Sequence, residues 1–244
     1  MTADYGLDAP GLMRGFCIAG LGLLGLGAVL SNAGTAPWVG IVVAAIALYP
    51  LGMACLMVVY SRIIKLADRD QMLDRVDWST IRAVVDLGCG RGLLTIGAAR
   101  RMTDGKAIGV DIWSAVDQSG NTAEAAQQNA QVEGVASRAQ FLTADMRALP
   151  QSDASVDLVV SAWAIHNLAT AQDRKQALTE AVRVLAPDGQ IMISDIACMA
   201  EYQTVLSGLG LQVERRDFGP IRAWLLPALS FGSFGPAMLV ARRA

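Results

Sequence analysis

Residues 83–92 of this 244-residue chain read A-V-V-D-L-G-C-G-R-G. The β-branched pair Val84 and Val85 predicts a buried strand that ends at the carboxylate of Asp86. Three glycines follow at alternate positions, Gly88, Gly90 and Gly92. Glycine permits positive φ and places no Cβ in the way of a ligand. Because residues 93–102 then read as a helix, the stretch predicts a strand, a glycine turn and a helix whose N-terminus holds a ligand against the main chain.

The spacing of the glycines indicates which ligand is bound. Dinucleotide-binding folds carry G-x-G-x-x-G, with a pyrophosphate over the helix N-terminus. Here the pattern is D-x-G-x-G-x-G, and the acid before the first glycine repels a pyrophosphate but suits the cationic ammonium of a methionine moiety. The stretch resembles the first motif of the class I S-adenosylmethionine (SAM) methyltransferases, which implies SAM as the cofactor.

Three further motifs follow in the order that this resemblance requires. Asp111 ends a second apolar strand about 25 residues after Asp86, where an adenosine-binding fold keeps the acid that holds the ribose hydroxyls. Asp145, after the short strand 140–143, resembles the family's acid that reads the adenine amino group. Residues 156–161 resemble its motif beside the methionine end. The predicted cofactor-binding residues are Asp86, Gly88, Gly90, Asp111, Ile112, Asp145, Met146 and Ser161. The alternative is an α/β sheet whose acids only cap helices.

The alternation of predicted strands and helices from residue 81 to 244 indicates the fold class. Strands near residues 83, 107, 140, 156 and 190 alternate with helices, which predicts a doubly wound, mostly parallel α/β sheet. Residues 212–218 and 237–241 read as two last strands. The class I family ends in such a pair, with the final strand antiparallel, so the resemblance implies a seven-stranded, Rossmann-like sheet.

A catalytic group is predicted directly after the fourth strand, in S-A-W-A-I-H-N-L, residues 161–168. Here the resemblance is closest to the ubiquinone and menaquinone biosynthesis methyltransferases and their small-molecule relatives. His166, the only histidine of the chain, is suited to take a proton from an acceptor at neutral pH. Since many methyltransferases work by proximity alone, His166 is alternatively a pocket-lining or helix-capping residue. Trp163 and Asp117 complete the predicted catalytic set.

Two more segments belong to the same predicted edge of the sheet. Residues 112–121 form an insertion before the next helix, in which Trp113 is placed to stack on adenine and Asp117 to face the substrate, or in which Asp117, Ser119 and Asn121 are turn and N-cap residues. Asp195, at the end of the fifth strand, either orients the substrate or caps the next helix. Residues 220–236 are rich in apolar side chains and are interpreted as a flap over the site, or as a packed crossover.

The composition points to a protein that lies partly in lipid. Hydrophobic residues make up 53% of the chain and charged residues only 17%, and the mean hydropathy is +0.40. The formal net charge of −2 provides no basic field for nucleic acid, which is not an expected partner. The four cysteines are scattered without a C-x-x-C pair, so neither a disulfide framework nor a metal site is expected.

Two uncharged runs predict a transmembrane helical hairpin within residues 1–60. Residues 15–30, with their flanks, and residues 37–60 are each long enough to cross a bilayer core. The alternatives are a cleaved signal peptide or core helices of a soluble fold. Residues 61–80 are predicted to form an amphipathic linker helix at the membrane surface, and residues 81–244 the methyltransferase domain.

Charge and small residues predict orientation and association. Arg62, Lys65 and Arg69 follow the second run, whereas the loop between the runs is uncharged, so both ends of the hairpin are expected on the cytoplasmic side of the inner membrane. The small residues Gly11, Gly15 and Ala19, and likewise Gly40 and Ala44, predict close contact within the hairpin or between copies in a homo-oligomer.

Together these features predict a membrane-anchored SAM-dependent methyltransferase. Its expected acceptor is small and hydrophobic or associated with the lipid bilayer, and it is methylated at the cytoplasmic face. The alternatives are methylation of a small thiol or other soluble molecule, and a non-catalytic SAM-binding membrane scaffold.

Overall fold

The computed structural model describes residues 2–33, 36–219, 221–232 and 234–243. The chain forms two compact units. The larger unit contains Met1–Tyr5, Leu66–Ser114 and Asn121–Ala244. The smaller unit contains Gly6–Lys65 and Ala115–Gly120.

The larger unit is built on a seven-stranded sheet, which confirms the predicted fold class. The strands are β1 (Ala83–Leu87), β2 (Lys106–Asp111), β3 (Ala139–Thr143), β4 (Val156–Ala162), β5 (Leu185–Asp195), β6 (Leu211–Asp217) and β7 (Ala237–Arg243). Their order across the sheet is β3-β2-β1-β4-β5-β7-β6. Only β7 runs antiparallel to its neighbours β5 and β6. The carboxyl ends of β1 to β5 therefore lie at one edge.

The helices of the described residues include those predicted at residues 37–60 and 93–102, each of which ends one residue earlier than predicted. They are α1 (Pro10–Asn32), α2 (Pro37–Val59), α3 (Lys65–Leu73), α4 (Leu93–Arg101), α5 (Ala123–Val132), α6 (Ala171–Val184), α7 (Met199–Gly208) and α8 (Leu226–Leu229). Short turns of other helical types cover Tyr60–Ile64, Ile165–Asn167 and Ile221–Leu225. The side chain of Thr122 caps α5 by accepting from the Ala125 amide at 3.1 Å, so neither Ser119 nor Asn121 is the N-cap.

Both faces of the sheet are covered, which explains why its central strands are nearly continuous apolar runs. In β1, Val84 lies in one core cluster and Val85 in the other. Leu158 and Val159 of β4 are divided in the same way. The alternation follows from the period of two along a strand.

Helix α3 contributes buried residues to the core. Met72 and Leu73 are fully buried, and with Val76 they belong to the core cluster on one face of the sheet. Trp78 packs against the same cluster, and its Nε1 donates to the Leu73 oxygen at 3.0 Å. These residues of the apolar face therefore pack against the sheet, and a position of residues 61–80 at the membrane surface stays a prediction.

The N-terminal residues also belong to the larger unit. Tyr5 is buried in the core cluster that contains Leu73, and this burial raises the pKa of its hydroxyl to about 12. The amide of Asp4 donates to Asn129 Oδ1, and Asn129 Nδ2 donates back to the Asp4 oxygen, both at 2.9 Å. The carboxylate of Asp4 lies 3.4 Å from Arg91 in the glycine turn. These contacts join residues before the apolar helices to the sheet.

In the smaller unit α1 and α2 pack as a helical hairpin through glycine. A Cβ on Gly27 would lie 2.7 Å from the Gly40 oxygen and 3.0 Å from the Ala44 nitrogen, and a Cβ on Gly20 would overlap the Leu51 side chain. The predicted close contact at Gly40 and Ala44 is therefore confirmed. Glycine at these positions lets the helix backbones approach closely. By contrast, a Cβ on Gly11 or Gly15 would meet open space, so that predicted stripe plays no part in the hairpin.

Both helices of the hairpin are long and apolar enough to cross a membrane, by length and composition. Most of their large apolar side chains are exposed: Leu12, Ile18, Leu21, Leu26, Val29, Trp38, Ile41, Val42, Ile46 and Leu48 are examples. In water such a surface would be unusually large for one protein.

The two ends of the hairpin are joined by polar contacts. Lys65 Nζ lies 3.1 Å from Asp8 Oδ2 and donates to the Gly6 oxygen at 3.1 Å. The amide of Asp8 donates to Ser61 Oγ at 3.0 Å. The segment before α1 and the turn after α2 therefore lie at the same end of the smaller unit.

The packing of Tyr5 yields a test of the N-terminal contribution to the larger unit. Tyr5→Ala is expected to lower the free energy of unfolding by about 3 kcal/mol, because it removes a buried aromatic side chain. Equilibrium denaturation in mild detergent, followed by tryptophan fluorescence, measures the change. Leu12→Ala, at a side chain 57% exposed, is the matched control. An effect of Tyr5→Ala no larger than that of the control would contradict the assignment of Tyr5 to the core.

Candidate active site

The glycine turn after β1 forms the centre of the candidate site. Gly88 and Gly90 have φ values of 68° and 52°, which favour glycine. A Cβ on Gly88 would overlap the Ala164 Cβ and lie 3.1 Å from the Met146 Cε. The amide of Gly88 donates to the Val110 oxygen of β2 at 2.9 Å. The loops after β1, β3 and β4 therefore meet at Gly88.

Asp111 holds this turn from the end of β2. Its Oδ2 accepts from the Gly90 amide at 2.8 Å, and its Oδ1 accepts from the Trp113 amide at 2.6 Å. Asn121 Nδ2 donates to the same Oδ1 at 3.3 Å. Asn121 is buried, and its Oδ1 is an acceptor that finds no hydrogen-bond partner among the described residues. A ribose hydroxyl is the kind of donor that such a buried acceptor requires, so the residues fit the adenosine half of SAM.

Asp86 is buried and contacts the first turn of α4. It is 2% exposed, and its Oδ2 accepts from the Thr95 amide at 2.9 Å and from the Thr95 hydroxyl at 2.7 Å. Desolvation of the buried carboxyl group raises its pKa to about 7, although the bonds from Thr95 oppose the shift. Asp86 therefore joins β1 to the first turn of α4, and its binding of the methionine ammonium stays a prediction.

Of the remaining predicted cofactor residues, some are held by hydrogen bonds to other residues and one is largely exposed. Ser161 is 1% exposed and donates to the Leu87 oxygen at 2.9 Å, so its hydroxyl holds β4 to β1. Ile112 is largely exposed. Asp145 pairs with Arg147 at 2.6 Å, and this hydrogen bond lowers the pKa of its carboxyl group. Its role in reading adenine stays a prediction.

Trp113 lies at the end of β2 in a backbone conformation that few non-glycine residues adopt, with φ of 62°. Its Nε1 donates to Thr143 Oγ1 at the end of β3, at 2.7 Å. This contact fixes the indole beside the ends of two strands. Stacking of Trp113 on adenine stays a prediction.

His166 and Asp195 form a close pair at the ends of β4 and β5. His166 Nδ1 lies 2.6 Å from Asp195 Oδ1. Asp195 is 1% exposed, whereas the side chain of His166 is 22% exposed. Asp195 Oδ2 also accepts from the Tyr202 hydroxyl at 3.1 Å and from the His166 amide at 3.2 Å. The sequence predicted Asp195 as a substrate or capping residue, but its contacts show that it holds His166.

The other two predicted catalytic residues are placed differently. Trp163 has φ of 55°, and its ring meets that of Phe234 edge to face, with 5.2 Å between the centroids. Asp117 belongs to the smaller unit, where its side chain is exposed and its main-chain oxygen accepts from the Ala9 amide at 2.8 Å. Catalytic roles for Trp163 and Asp117 stay predictions.

Residues 221–232, which we call the 221–232 segment, form two short helical turns between β6 and β7. Leu226 and Ser230 are buried, while Trp224 is 79% exposed and Phe231 is 84% exposed. Arg222 Nη1 lies 2.6 Å from Asp68 Oδ1 of α3. The segment is therefore not a fully packed crossover. Pro220 and Ser233 of the predicted flap lie outside the described residues.

Several site residues gave no sequence signal. Thr95, Asn121 and Tyr202 act through side-chain hydrogen bonds to acids that lie seven to ten residues away, and none of the three belongs to a recognised motif. Among the described residues, no group of three or more His, Cys, Asp or Glu side chains could hold a metal ion.

The comparisons with known proteins agree with this geometry. The family described as "Methyltransferase domain" matches residues 85–193. The chain is 35% identical over 127 residues to methyltransferase GfsG of Streptomyces halstedii, covering 52% of this chain and 42% of that protein. It is 27% identical over 129 residues to the ubiquinone/menaquinone biosynthesis C-methyltransferase UbiE of Dinoroseobacter shibae, covering 53% and 48%. The chain thus spans less than half the length of these curated relatives.

Solved structures share the fold. The geranyl diphosphate C-methyltransferase of Streptomyces coelicolor, solved with Mg²⁺, geranyl diphosphate and S-adenosyl-L-homocysteine, superposes with a TM-score of 0.57 at 16% identity over 73% of this chain and 77% of that one. At this identity the likeness concerns the fold alone. The match to the methyltransferase domain family over residues 85–193, the glycine turn and the strand order support a class I SAM-dependent methyltransferase domain in the larger unit.

Proposed function

We propose that this protein is a membrane-anchored methyltransferase that transfers a methyl group from SAM to a small hydrophobic or membrane-associated acceptor at the cytoplasmic face. One observation carries the proposal: a single chain joins a SAM site, centred on Gly88 and Asp111, to two apolar helices whose side chains are exposed.

The chain's own residues would bind and orient the cofactor. Asp111 and Oδ1 of Asn121 provide acceptors for ribose hydroxyls, and the glycine turn allows close approach to the main chain. SAM supplies an electrophilic methyl group, so catalysis depends mainly on positioning the acceptor in line with it and on excluding water.

The course of the chain supports a hairpin that enters and leaves the membrane on one side. Tyr5 and Leu66 both belong to the larger unit, and the two apolar helices lie between them. A chain that leaves a unit and returns to it crosses a bilayer an even number of times. Cleavage of a signal peptide after α1 would remove Tyr5 from the core, which argues against that alternative. The basic residues after α2 favour a cytoplasmic position for the larger unit.

The acceptor is inferred to be hydrophobic from the 221–232 segment and from relatives. Trp224 and Leu225 present apolar surface on the segment between β6 and β7, and Phe234 contacts Trp163 in the loop after β4. The name of the Dinoroseobacter relative places it in ubiquinone and menaquinone biosynthesis. An apolar acceptor that lies in the bilayer would benefit from an enzyme that is tethered there.

The function is tested with SAM that carries a deuterated methyl group. The full-length protein in vesicles of its host's lipid extract is expected to transfer the label to a lipid-soluble compound, detected by mass spectrometry. Asp111→Ala should weaken SAM binding by about 2–4 kcal/mol, because it removes charge-assisted hydrogen bonds, and should lower the label accordingly. Asp188→Ala, at an exposed position of β5, is the matched control. Normal SAM affinity of Asp111→Ala in calorimetry would contradict the site.

The raised pKa of Asp86, about 7, predicts that SAM binding depends on pH. Cationic SAM favours the ionised carboxylate, so its affinity should rise by up to about tenfold from pH 6 to pH 8. The stability of the protein without SAM depends on pH in the opposite direction. Because the fold favours the protonated carboxyl group of Asp86, the free energy of unfolding falls as the pH rises from the ordinary pKa of 3.8 through about 7. Calorimetry at several pH values measures the affinity. Asp86→Asn should reduce the change in SAM affinity between pH 6 and pH 8. An unchanged dependence of affinity on pH would show that Asp86 does not cause it.

The topology is tested with single cysteines in a background that lacks the exposed native thiols. A membrane-impermeant maleimide applied to intact cells should label Ala33→Cys, between the two apolar helices, and should not label Ser152→Cys in the larger unit. The reverse pattern would place the larger unit outside the cytoplasm. Removal of the full-length protein from membranes by carbonate washing would show that the hairpin does not span.

A further inference from the structure

We propose that the 221–232 segment is a second membrane contact of this protein, made by the larger unit itself. Its exposed apolar side chains insert into the interface of the bilayer that holds the two apolar helices. The partner is the headgroup and upper acyl region of a lipid bilayer. The proposal rests on the membrane anchoring proposed above, and its test reports on the anchor and on the segment separately.

The exposed part of the segment has the composition of an interfacial membrane anchor. Trp224 and Phe231 are almost fully exposed, and Leu225 and Leu229 are exposed as well. Aromatic rings beside leucine are typical of short helices that lie in the membrane interface, where the rings sit at headgroup level. Four large apolar side chains so close together are unfavourable in water. A lipid surface would remove that cost.

Other residues of the segment are packed, so the exposure does not come from a loop without structure. Leu226 and Ser230 are buried. Ser230 Oγ donates to the Leu226 oxygen at 2.7 Å and accepts from the Phe234 amide at 2.9 Å. The segment is therefore held by its own hydrogen bonds in a conformation that leaves Trp224 and Phe231 outside.

The charge of the segment also favours lipid as its partner. Residues 223–241 contain no Asp, Glu, Lys or Arg. Arg222, which precedes them, lies 2.6 Å from Asp68 of α3, and the two side chains are only 22% and 9% exposed. Arg222 also donates to Gln71 Oε1 at 3.2 Å. Recognition of a charged partner has little basis on such a surface, whereas insertion of apolar side chains into a bilayer needs no charge.

The ion pair of Arg222 also ties the segment to the helix that leaves the membrane. Residues Pro37–Leu73 form one continuous helical stretch that contains both α2 and α3. Asp68 follows Tyr60, the last residue of the second uncharged run, by eight residues. At about 1.5 Å per helical residue, Asp68 is only about 12 Å along the helix from the end of that run. The headgroup region of one leaflet covers about 5–8 Å of this distance. The surface of a bilayer that contains α2 is therefore within reach of the segment.

The segment is linked to the candidate site at its other end. The ring of Phe234, which follows the segment, meets that of Trp163 edge to face, with 5.2 Å between the centroids. Ala164, next to Trp163, meets the glycine turn at Gly88. An inserted segment thus connects the bilayer to the loop that borders the cofactor site, which gives an acceptor dissolved in lipid a short path to the site.

The contact is tested by spin labelling of the full-length protein in nanodiscs of phosphatidylethanolamine and phosphatidylglycerol. The background has alanine in place of Cys17, Cys55 and Cys198, and a nitroxide is attached in turn to Leu225→Cys and Leu229→Cys. Relaxation of the label by oxygen, which dissolves in lipid, is compared with relaxation by a water-soluble nickel chelate. At both positions the oxygen-to-nickel ratio is expected to be about threefold or more above that of Asp188→Cys, an exposed control on β5.

Two results would overturn the proposal. One is a label in the segment that the nickel chelate reaches as readily as it reaches the control. The other is a label that neither relaxant reaches, because protein rather than lipid would then cover the segment. Trp224→Ser should lower the ratio at Leu225→Cys by about twofold or more, since it removes the largest apolar side chain. A ratio that does not change in this variant would also count against insertion.

A label at Ile46→Cys, at an exposed position of α2, reports on the anchor alone. If lipid surrounds Ile46 while both labels of the segment lie in water, the second contact is refuted and the anchor stands. If water surrounds Ile46 as well, both proposals are refuted. Labels of the segment that lie in lipid, in a protein that transfers no deuterated methyl group, would support the contact and refute only the proposed reaction.

Discussion

The larger unit is organised around a carboxylate that is buried where strand becomes helix. Asp86 lies at 2% exposure, and both donors of Thr95 engage one of its oxygens. Burial of a carboxyl group is unfavourable unless it is hydrogen-bonded, so this contact requires α4 to begin where it does. The contact between Asp86 and Thr95 therefore fixes both ends of the glycine turn. Asp111, at the end of β2, holds the middle of the turn by accepting from the amide of Gly90.

The features that could be predicted from sequence are those with a period or a fixed spacing. Three features lie within short stretches of sequence and can be recognised without a structure: the alternation of strand and helix, the D-x-G-x-G-x-G pattern and the two uncharged runs. Asp111 illustrates this: its distance along the chain from Asp86 was enough to place it. His166 was found because it is the only histidine and follows a strand.

The features that could not be predicted depend on partners that are distant in sequence. Asn129 could not be matched to Asp4, 125 residues away, because a single amide carries no pattern. The apolar stripe of α3 had the period of a surface helix, and sequence does not distinguish a stripe that meets lipid from one that meets a sheet. Likewise, an acid at a strand end does not reveal whether it contacts a substrate or, as Asp195 does, a histidine.

The contact between Asp4 and Asn129 also orders events during synthesis. Asp4 and Tyr5 leave the ribosome before the two apolar helices, but the sheet and the helix to which they bind are made only after both helices have emerged. Asp4 and Tyr5 must therefore wait for partners that do not yet exist while the two apolar helices are made. Asn129 also donates to the Arg91 oxygen at 2.9 Å, so the same late contact reaches the glycine turn. The glycine turn therefore gains this contact only after both apolar helices have been made.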